Sequence, residues 1–259
     1  EKFFLTVESF DPHEPWFVPE HYRRLYDDSD GPERIQPPYG SIESWSPDDV
    51  RRSQAAYSGL ITMCDRWFGR LHQSLKDMGL LDDTLLVVTA DHGHSMGDEG
   101  YMGKRPYPAD PAVFEVPLML RRPEGVGETS DSIVQHTDVA ATVLEYAGVE
   151  SSQPMDGRSL LGERAGRDHA TVAYGPGVVV VDSRWWLNAK VDGTEAFLYD
   201  LDSPDPRANN LADARPEVAD RLFSLALDDA RGGFPEYLMG MANELADAPG
   251  SSKRMLRRA

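Results

Sequence analysis

At 259 residues with 40% hydrophobic content, the chain can bury the core of one α/β domain, or of a domain with a small appendage. Its 44 acidic against 26 basic side chains give a net charge of −18, which excludes a general affinity for nucleic acid or an anionic membrane surface and favours solubility. No run approaches the ~18 apolar residues of a membrane span, and a single cysteine, Cys64, excludes an intrachain disulfide or a cysteine-rich zinc site.

Glu1 to Phe10 reads as a strand, with Phe3, Phe4, Leu5 and Val7 apolar. A start that is already strand is expected not to be the native start, so the compartment stays unknown. The strand runs into Asp11-Pro12-His13-Glu14-Pro15-Trp16, whose prolines stiffen a loop and would hold His13 at the edge of a sheet. Pro19 to Trp45 has little period and is expected to be a long surface excursion over a pocket mouth. Ser46-Pro47-Asp48-Asp49 is a helix start, with Ser as N-cap, Pro at the first helical position and acids at the positive helix end. Tyr57, Leu60, Ile61, Cys64, Trp67, Phe68, Leu71, Leu75 and Met78 give that helix one apolar face, and Gly79 closes it.

Leu85 to Thr89 is a short apolar, β-branched run, expected to be a central strand buried on both faces. Asp91, His92 and Gly93 follow it directly, in the position beyond a strand's carboxyl end where open α/β sheets bind ligands. An adjacent carboxylate and imidazole can serve as two ligands of a divalent cation, with Gly93 letting the backbone turn away. The plain alternative is a capped turn with a solvated histidine. The stretch continues through Met96-Gly97-Asp98 to Gly103-Lys104.

Beyond Lys104, the second half of Val113 to Leu120 reads as a strand, Glu124 to Asp131 as a glycine-rich connection, and Ser132 to Gln135 as a short strand. A helix from Thr137-Asp138 through Ala147 is closed by Gly148. Asp138 is read as a partner of the helix dipole rather than a metal ligand, and Arg105, Arg121 and Arg122 as solvated or salt-bridged rather than an anion site. From Ala170 the texture changes to Thr171–Tyr174, Val178–Asp182, Trp185–Val191 and Ala196–Leu201, an antiparallel meander, followed by a helix over Pro216 to Arg231. Lys253 to Arg258 reads as a solvated basic tail, and no internal repeat is present.

The text T-A-D-H-G, then M-G-D, then G-K over residues 89–104 resembles the signature of the sulfatase family of the alkaline phosphatase superfamily, T-S-D-H-G-E-x-x-G-D-H-G-x-x-G-K. D-P-H-E-P-W at 11–16, D-G-R-S-L at 156–160 and L-Y-D-L at 198–201 resemble further elements of the same family, so the likeness spans roughly Phe3 to Arg231. The resemblance implies an alkaline-phosphatase-like mixed α/β sheet flanked by helices (residues 1–165), a small antiparallel β subdomain with a helix (166–231) and a C-terminal tail (232–259). It implies that Asp91 and His92 ligate a divalent metal, Ca²⁺ first, with Mn²⁺ or Mg²⁺ also admitted by the donor types. It implies that His13 and Lys104 bind the ester and serve in catalysis. His94 stands where the family commonly has Glu, and Glu99 where it has His, which bears on substrate identity.

The family's nucleophile is a formylglycine made in a C/S-x-P-S-R motif, which neither Cys64, followed by Asp65-Arg66-Trp67-Phe68, nor any serine here matches. Cys64 is read as a buried helix-face thiol. Two N-terminal Asp ligands of the family are also without a match, so this chain alone is expected to bind metal weakly; a tight site in the isolated chain would point to further ligands, with His94, Asp98 and Asp11 the first to check. The expected function is metal-dependent sulfuric ester hydrolysis, with a phosphonate or phosphate mono- or diester hydrolase as the alternative, and a non-catalytic, partner-dependent fragment as the alternative of another class. The expected partners are a small sulfate or phosphate ester and either a missing N-terminal segment carrying the formylglycine or a second copy covering an exposed sheet edge.

Overall fold

Ser46 caps the long helix as its sequence predicts: its hydroxyl accepts from the Asp49 N–H at 3.1 Å, and Asp49 reaches back to the Ser46 N–H. The computed structural model describes residues 2–32, 35–123, 127, 129–162, 166–242 and 248–259. In chain order its elements are α1 (Glu20–Arg23), β1 (Gly40–Ser41), α2 (Pro47–Asp77), β2 (Leu86–Thr89), β3 (Ser95–Met96), β4 (Tyr101–Gly103), α3 (Pro111–Phe114), β5 (Leu118–Arg121), α4 (His136–Ala147), β6 (His169–Tyr174), β7 (Gly177–Asp182), β8 (Trp185–Lys190), β9 (Ala196–Asp200), α5 (Pro216–Asp229) and α6 (Glu236–Ala242). They divide into two compact units, one of Glu1–Leu86, His94–Lys104 and Arg121–Glu124, the other of Val87–Gly93, Arg105–Leu120 and Gly125–Ala259.

In the first unit α2 ends as expected. Gly79 takes the left-handed conformation (φ 68°), its N–H bonded to Lys76 O and the next N–H to Leu75 O, both at 2.9 Å. The buried side of α2 is narrower than its apolar periodicity predicts. Ala56, Gly59 and Leu60 are covered, whereas Ile61, Trp67 and Met78 are exposed. The covered side meets α1 at Gly59: a Cβ there would stand 2.9 Å from Val18 Cγ2 and 3.1 Å from the Arg23 nitrogen, so the absent side chain is what lets α1 lie against α2. Trp16, Val18, Tyr22, Leu60, Met96 and Met102 fill the space around that contact. The segment expected as a surface excursion is therefore anchored, with Tyr22, Arg23 and Asp27 buried; residues 33 and 34 of it lie outside the described residues.

Asp27 is fixed by the Ser29 N–H at 2.9 Å and Arg51 Nε at 3.0 Å. Hydrogen bonds from Ser29, then Arg51, outweigh burial and hold its carboxyl down at about 2. Because the folded carboxyl titrates below its ordinary 3.8, its contribution to stability is complete above that value and is lost as pH falls towards the folded one. Asp27→Asn is expected to make the acid-side fall in thermal midpoint shallower between about pH 4 and 2, read by circular dichroism melts.

The N-terminal strand is not formed. Residues 2–10 pair with no strand among the described residues, and Phe3, Phe4, Leu5, Val7 and Phe10 are exposed. The strand expected to be central, β2, pairs only with β5 among the described residues and is half-buried rather than covered on both faces. The short strand expected over 132–135 reduces to a single bridge between Ile133 and Arg167. Of the connection expected over Glu124–Asp131, residues 124–126 and 128 lie outside the described residues.

The second unit holds the antiparallel meander, in order β6-β7-β8-β9. Its valine run is continuous because both faces are covered: Val178 and Val180 pack with Leu222 and Ala226 of α5, while Val179 joins Ala109 and Trp186 on the other face. Asp138, fully buried, accepts from the Gln135 N–H at 2.8 Å and the Arg158 N–H at 2.7 Å, and pairs with the Arg167 guanidinium through Nε at 3.0 Å and through Nη2. Burial pushes its carboxyl up, and those hydrogen bonds, Arg167 first, bring it below its ordinary value. The residue read as a dipole partner is also the joint that ties Arg158 and Arg167 to the start of α4. The basic tail is likewise not free in solvent. Arg254 forms a two-pronged pair with Asp220, Leu256 is buried, and Ser252 bridges to Ala196. Arg121, read as solvated or salt-bridged, donates to the Leu81 carbonyl at 2.5 Å.

Candidate active site

The turn at 11–16 aims His13 by its backbone: the His13 N–H donates to Phe10 O at 2.9 Å, and the imidazole lies 4.5 Å, centroid to centroid, from the Phe10 ring. His13 Nδ1 stands 2.5 Å from the Glu14 carbonyl, so it carries the proton, and Nε2 accepts from Lys104 Nζ at 2.8 Å. The two residues expected to grip the ester are thus brought together across 91 positions of sequence. Lys104 follows Gly103, whose φ of +111° and missing Cβ let the Tyr39 ring pack to within 2.6 Å of where that Cβ would be. The ammonium lies 5.6 Å from the centroid of the same ring.

Behind this pair is a residue that sequence reasoning passed over. The Glu14 side chain is only 6% exposed, with Oε1 accepting from the Tyr39 hydroxyl and lying 3.4 Å from Lys104 Nζ. Its other oxygen is 3.6 Å from His13 Nδ1 and 3.7 Å from His94 Nε2. Burial pushes the Glu14 carboxyl up, but Tyr39, Lys104 and His13 together hold it below the ordinary range, so it stands as a carboxylate. His94 is buried within ring contact of Trp16, Tyr39 and Tyr57, and its burial outweighs the Glu14 charge, holding the imidazole below its usual pKa. The sequence signal was slight: an acid between two prolines beside a candidate histidine, and a Tyr-Gly pair at 39–40 far upstream of Lys104.

Asp91 and His92 lie in the other unit, both exposed, at the end of β2. The His92 N–H donates to Asp91 Oδ1 at 2.9 Å, and His92 Nε2 is 3.5 Å from Asp91 Oδ2. Nδ1 is held by the Gly93 carbonyl at 3.0 Å, the arrangement that leaves Nε2 its lone pair, as a metal-ligating histidine requires. Gly93 itself has no alternative: a Cβ would fall 2.0 Å from the Ala112 carbonyl oxygen. The pair therefore fits one edge of a coordination shell, and among the described residues no group of three or more His, Cys, Asp or Glu completes it. His136 Nε2 contacts the Ala90 carbonyl at 2.7 Å. Cys64 lies half-buried on α2, its thiol pushed up by burial and by Asp11.

Comparison with known proteins adds an independent line. A family model described as Sulfatase matches residues 1–149. The multifunctional alkaline phosphatase superfamily protein PehA of Trinickia caryophylli is 30% identical over 190 residues, covering 61% of this chain and 37% of that protein. The arylsulfatase of Clostridium perfringens is 25% identical over 270 residues, covering 92% and 55%. The structure of the phosphonate monoester hydrolase from Silicibacter pomeroyi superposes with a TM-score of 0.67 at 23% identity, covering 96% of this chain and 58% of that one. The chain thus spans roughly half the length of the curated relatives it matches. No helix among the described residues is long and apolar enough to cross a membrane.

Proposed function

We infer the function from one premise: the chain belongs to the sulfatase family, with an alkaline-phosphatase-like α/β fold. The activity proposed is hydrolysis of sulfuric esters, with His13 and Lys104 binding the ester and Asp91 and His92 binding a divalent cation, Ca²⁺ first and Mn²⁺ or Mg²⁺ as alternatives. The observation that carries it is the 2.8 Å contact between Lys104 Nζ and His13 Nε2. An ammonium and an imidazole held side by side form a preorganised seat for a tetrahedral oxyanion. When bound, the metal supplies Lewis-acid polarisation of the ester oxygen. Lys104 neutralises charge that develops on the ester. His13 keeps Nδ1–H on the Glu14 carbonyl; once an ester oxygen displaces Lys104 from Nε2 and Nε2 takes up a proton from solvent, the imidazolium is placed to donate that proton to the leaving oxygen. Gly93 and the Gly93 carbonyl orient His92, and Tyr39 with Glu14 orients Lys104.

The nucleophile and the remaining ligands are proposed to come from a formylglycine-bearing segment outside these residues, and the exposed apolar surface to be covered by that segment or by a second copy. Support comes from the chain's share of its relatives' length, the two-ligand metal edge, and the exposed Phe3, Phe4, Leu5, Val7 and Phe10. A second reading, phosphonate or phosphate ester hydrolysis, is favoured by the fold shared with phosphonate monoester hydrolases. The test is parallel assay of 4-nitrophenyl sulfate and a phenylphosphonate monoester, by the chain alone and joined to its upstream coding sequence, with each cation and with chelator. Chelator-sensitive sulfate release is expected. Faster phosphonate turnover selects the second reading, and metal-loaded protein inert towards both overturns the two together.

A further inference from the structure

We propose that Glu14 sets the charge of the ester this site accepts, its buried carboxylate beside Lys104 and His13 favouring singly charged esters over doubly charged ones. The inference rests on reading His13 and Lys104 as the ester-binding pair. Glu14 is withdrawn from solvent, with Lys104, His13, His94, Tyr39 and Tyr57 as the polar and titratable groups around it. Its Oε1 lies 3.4 Å from Lys104 Nζ, so an ester oxygen hydrogen-bonded to that ammonium would be within about 6 Å of the carboxylate. At that separation, and at the effective dielectric typical of protein sites, each added negative charge on the ester is disfavoured by about 10- to 10²-fold. The carboxylate also offsets much of the field of Lys104, so a second negative charge on the ester gains little from the ammonium. Sulfate monoesters and phosphonate monoesters carry one, and phosphate monoesters carry two above their second pKa of about 6.

The experiment compares binding of methyl sulfate and methyl phosphate to the full chain at about pH 8, followed by the shift of the His13 imidazole resonances, with His13→Gln to assign them. Glu14→Gln is expected to move the ratio of the two dissociation constants towards methyl phosphate by about 10-fold or more. Glu14→Asp, which keeps the charge on a shorter arm, is expected to retain the wild-type ratio, a result that packing alone would not produce. Glu14→Ala repeats the measurement should the glutamine variant fold poorly. A ratio unchanged in folded Glu14→Gln and Glu14→Ala overturns this inference and leaves the ester-binding pair standing. No shift at His13 with either anion in the wild-type protein overturns the pair itself and the inference with it.

Discussion

Replacing Lys104 with alanine in the complete protein, the chain joined to its upstream segment, is expected on the proposed function to lower kcat/KM for a sulfate ester by about 10²-fold, the usual loss when one preorganised oxyanion donor is removed. The structure adds a second consequence that its glycine-bounded loop did not suggest. The Lys104 side chain is only 11% exposed and lies against Tyr39, with Glu14 at 3.4 Å, so the alanine variant also loses a counter-ion and melts lower. Lys104→Met, which keeps the packed stem, separates the two effects: it should match the alanine variant in kcat/KM and differ from it in thermal midpoint. Unchanged kinetics in the metal-loaded enzyme would remove Lys104 from the site.

The largest loss of stability is expected at Asp138. Asp138→Ala strips an acceptor from the Gln135 and Arg158 N–H groups and leaves the Arg167 guanidinium, 13% exposed, without its carboxylate. Breaking a buried ion pair from one side typically costs about 3–5 kcal/mol, which is a large share of a domain's whole stability. Asp138→Asn keeps one acceptor oxygen and should fall between wild type and alanine. Guanidinium denaturation measures both, and a loss below about 1 kcal/mol for the alanine variant would show that Arg167 finds other partners.

Features that depend on neighbours in sequence were legible beforehand. The Ser46-Pro47-Asp48-Asp49 start, the glycine stops at 79 and 148, and the meander with its turns all follow from local backbone chemistry. What failed depended on partners distant in the chain. Glu1 to Phe10 has the composition of a strand, but a strand forms only when another pairs with it, and among the described residues none pairs with 2–10. Lys253 to Arg258 looks solvated until Asp220, 34 positions from Arg254, is placed beside it. Asp91 and His92 were visible as an adjacent pair inside a motif. Glu14 was not, since its meaning lies in Tyr39 at 25 positions and Lys104 at 90.

The order β6-β7-β8-β9 also carries a kinetic consequence. Each strand pairs with the next along the chain, with Gly175 (φ 56°) and Gly193 (φ 76°) in the intervening turns, so the sheet can zip hairpin by hairpin at small loop-closure cost. The segment from Ala248 to Leu256 reaches back instead over much longer stretches, Ser251 to Glu195 at 56 positions and Arg254 to Asp220 at 34. Contacts of that span are expected to form late, after the sheet and α5 give them a surface. Interactions absent from the transition state slow unfolding without speeding folding. The strap that looked like an idle tail is therefore expected to slow the unfolding of this unit rather than speed its folding.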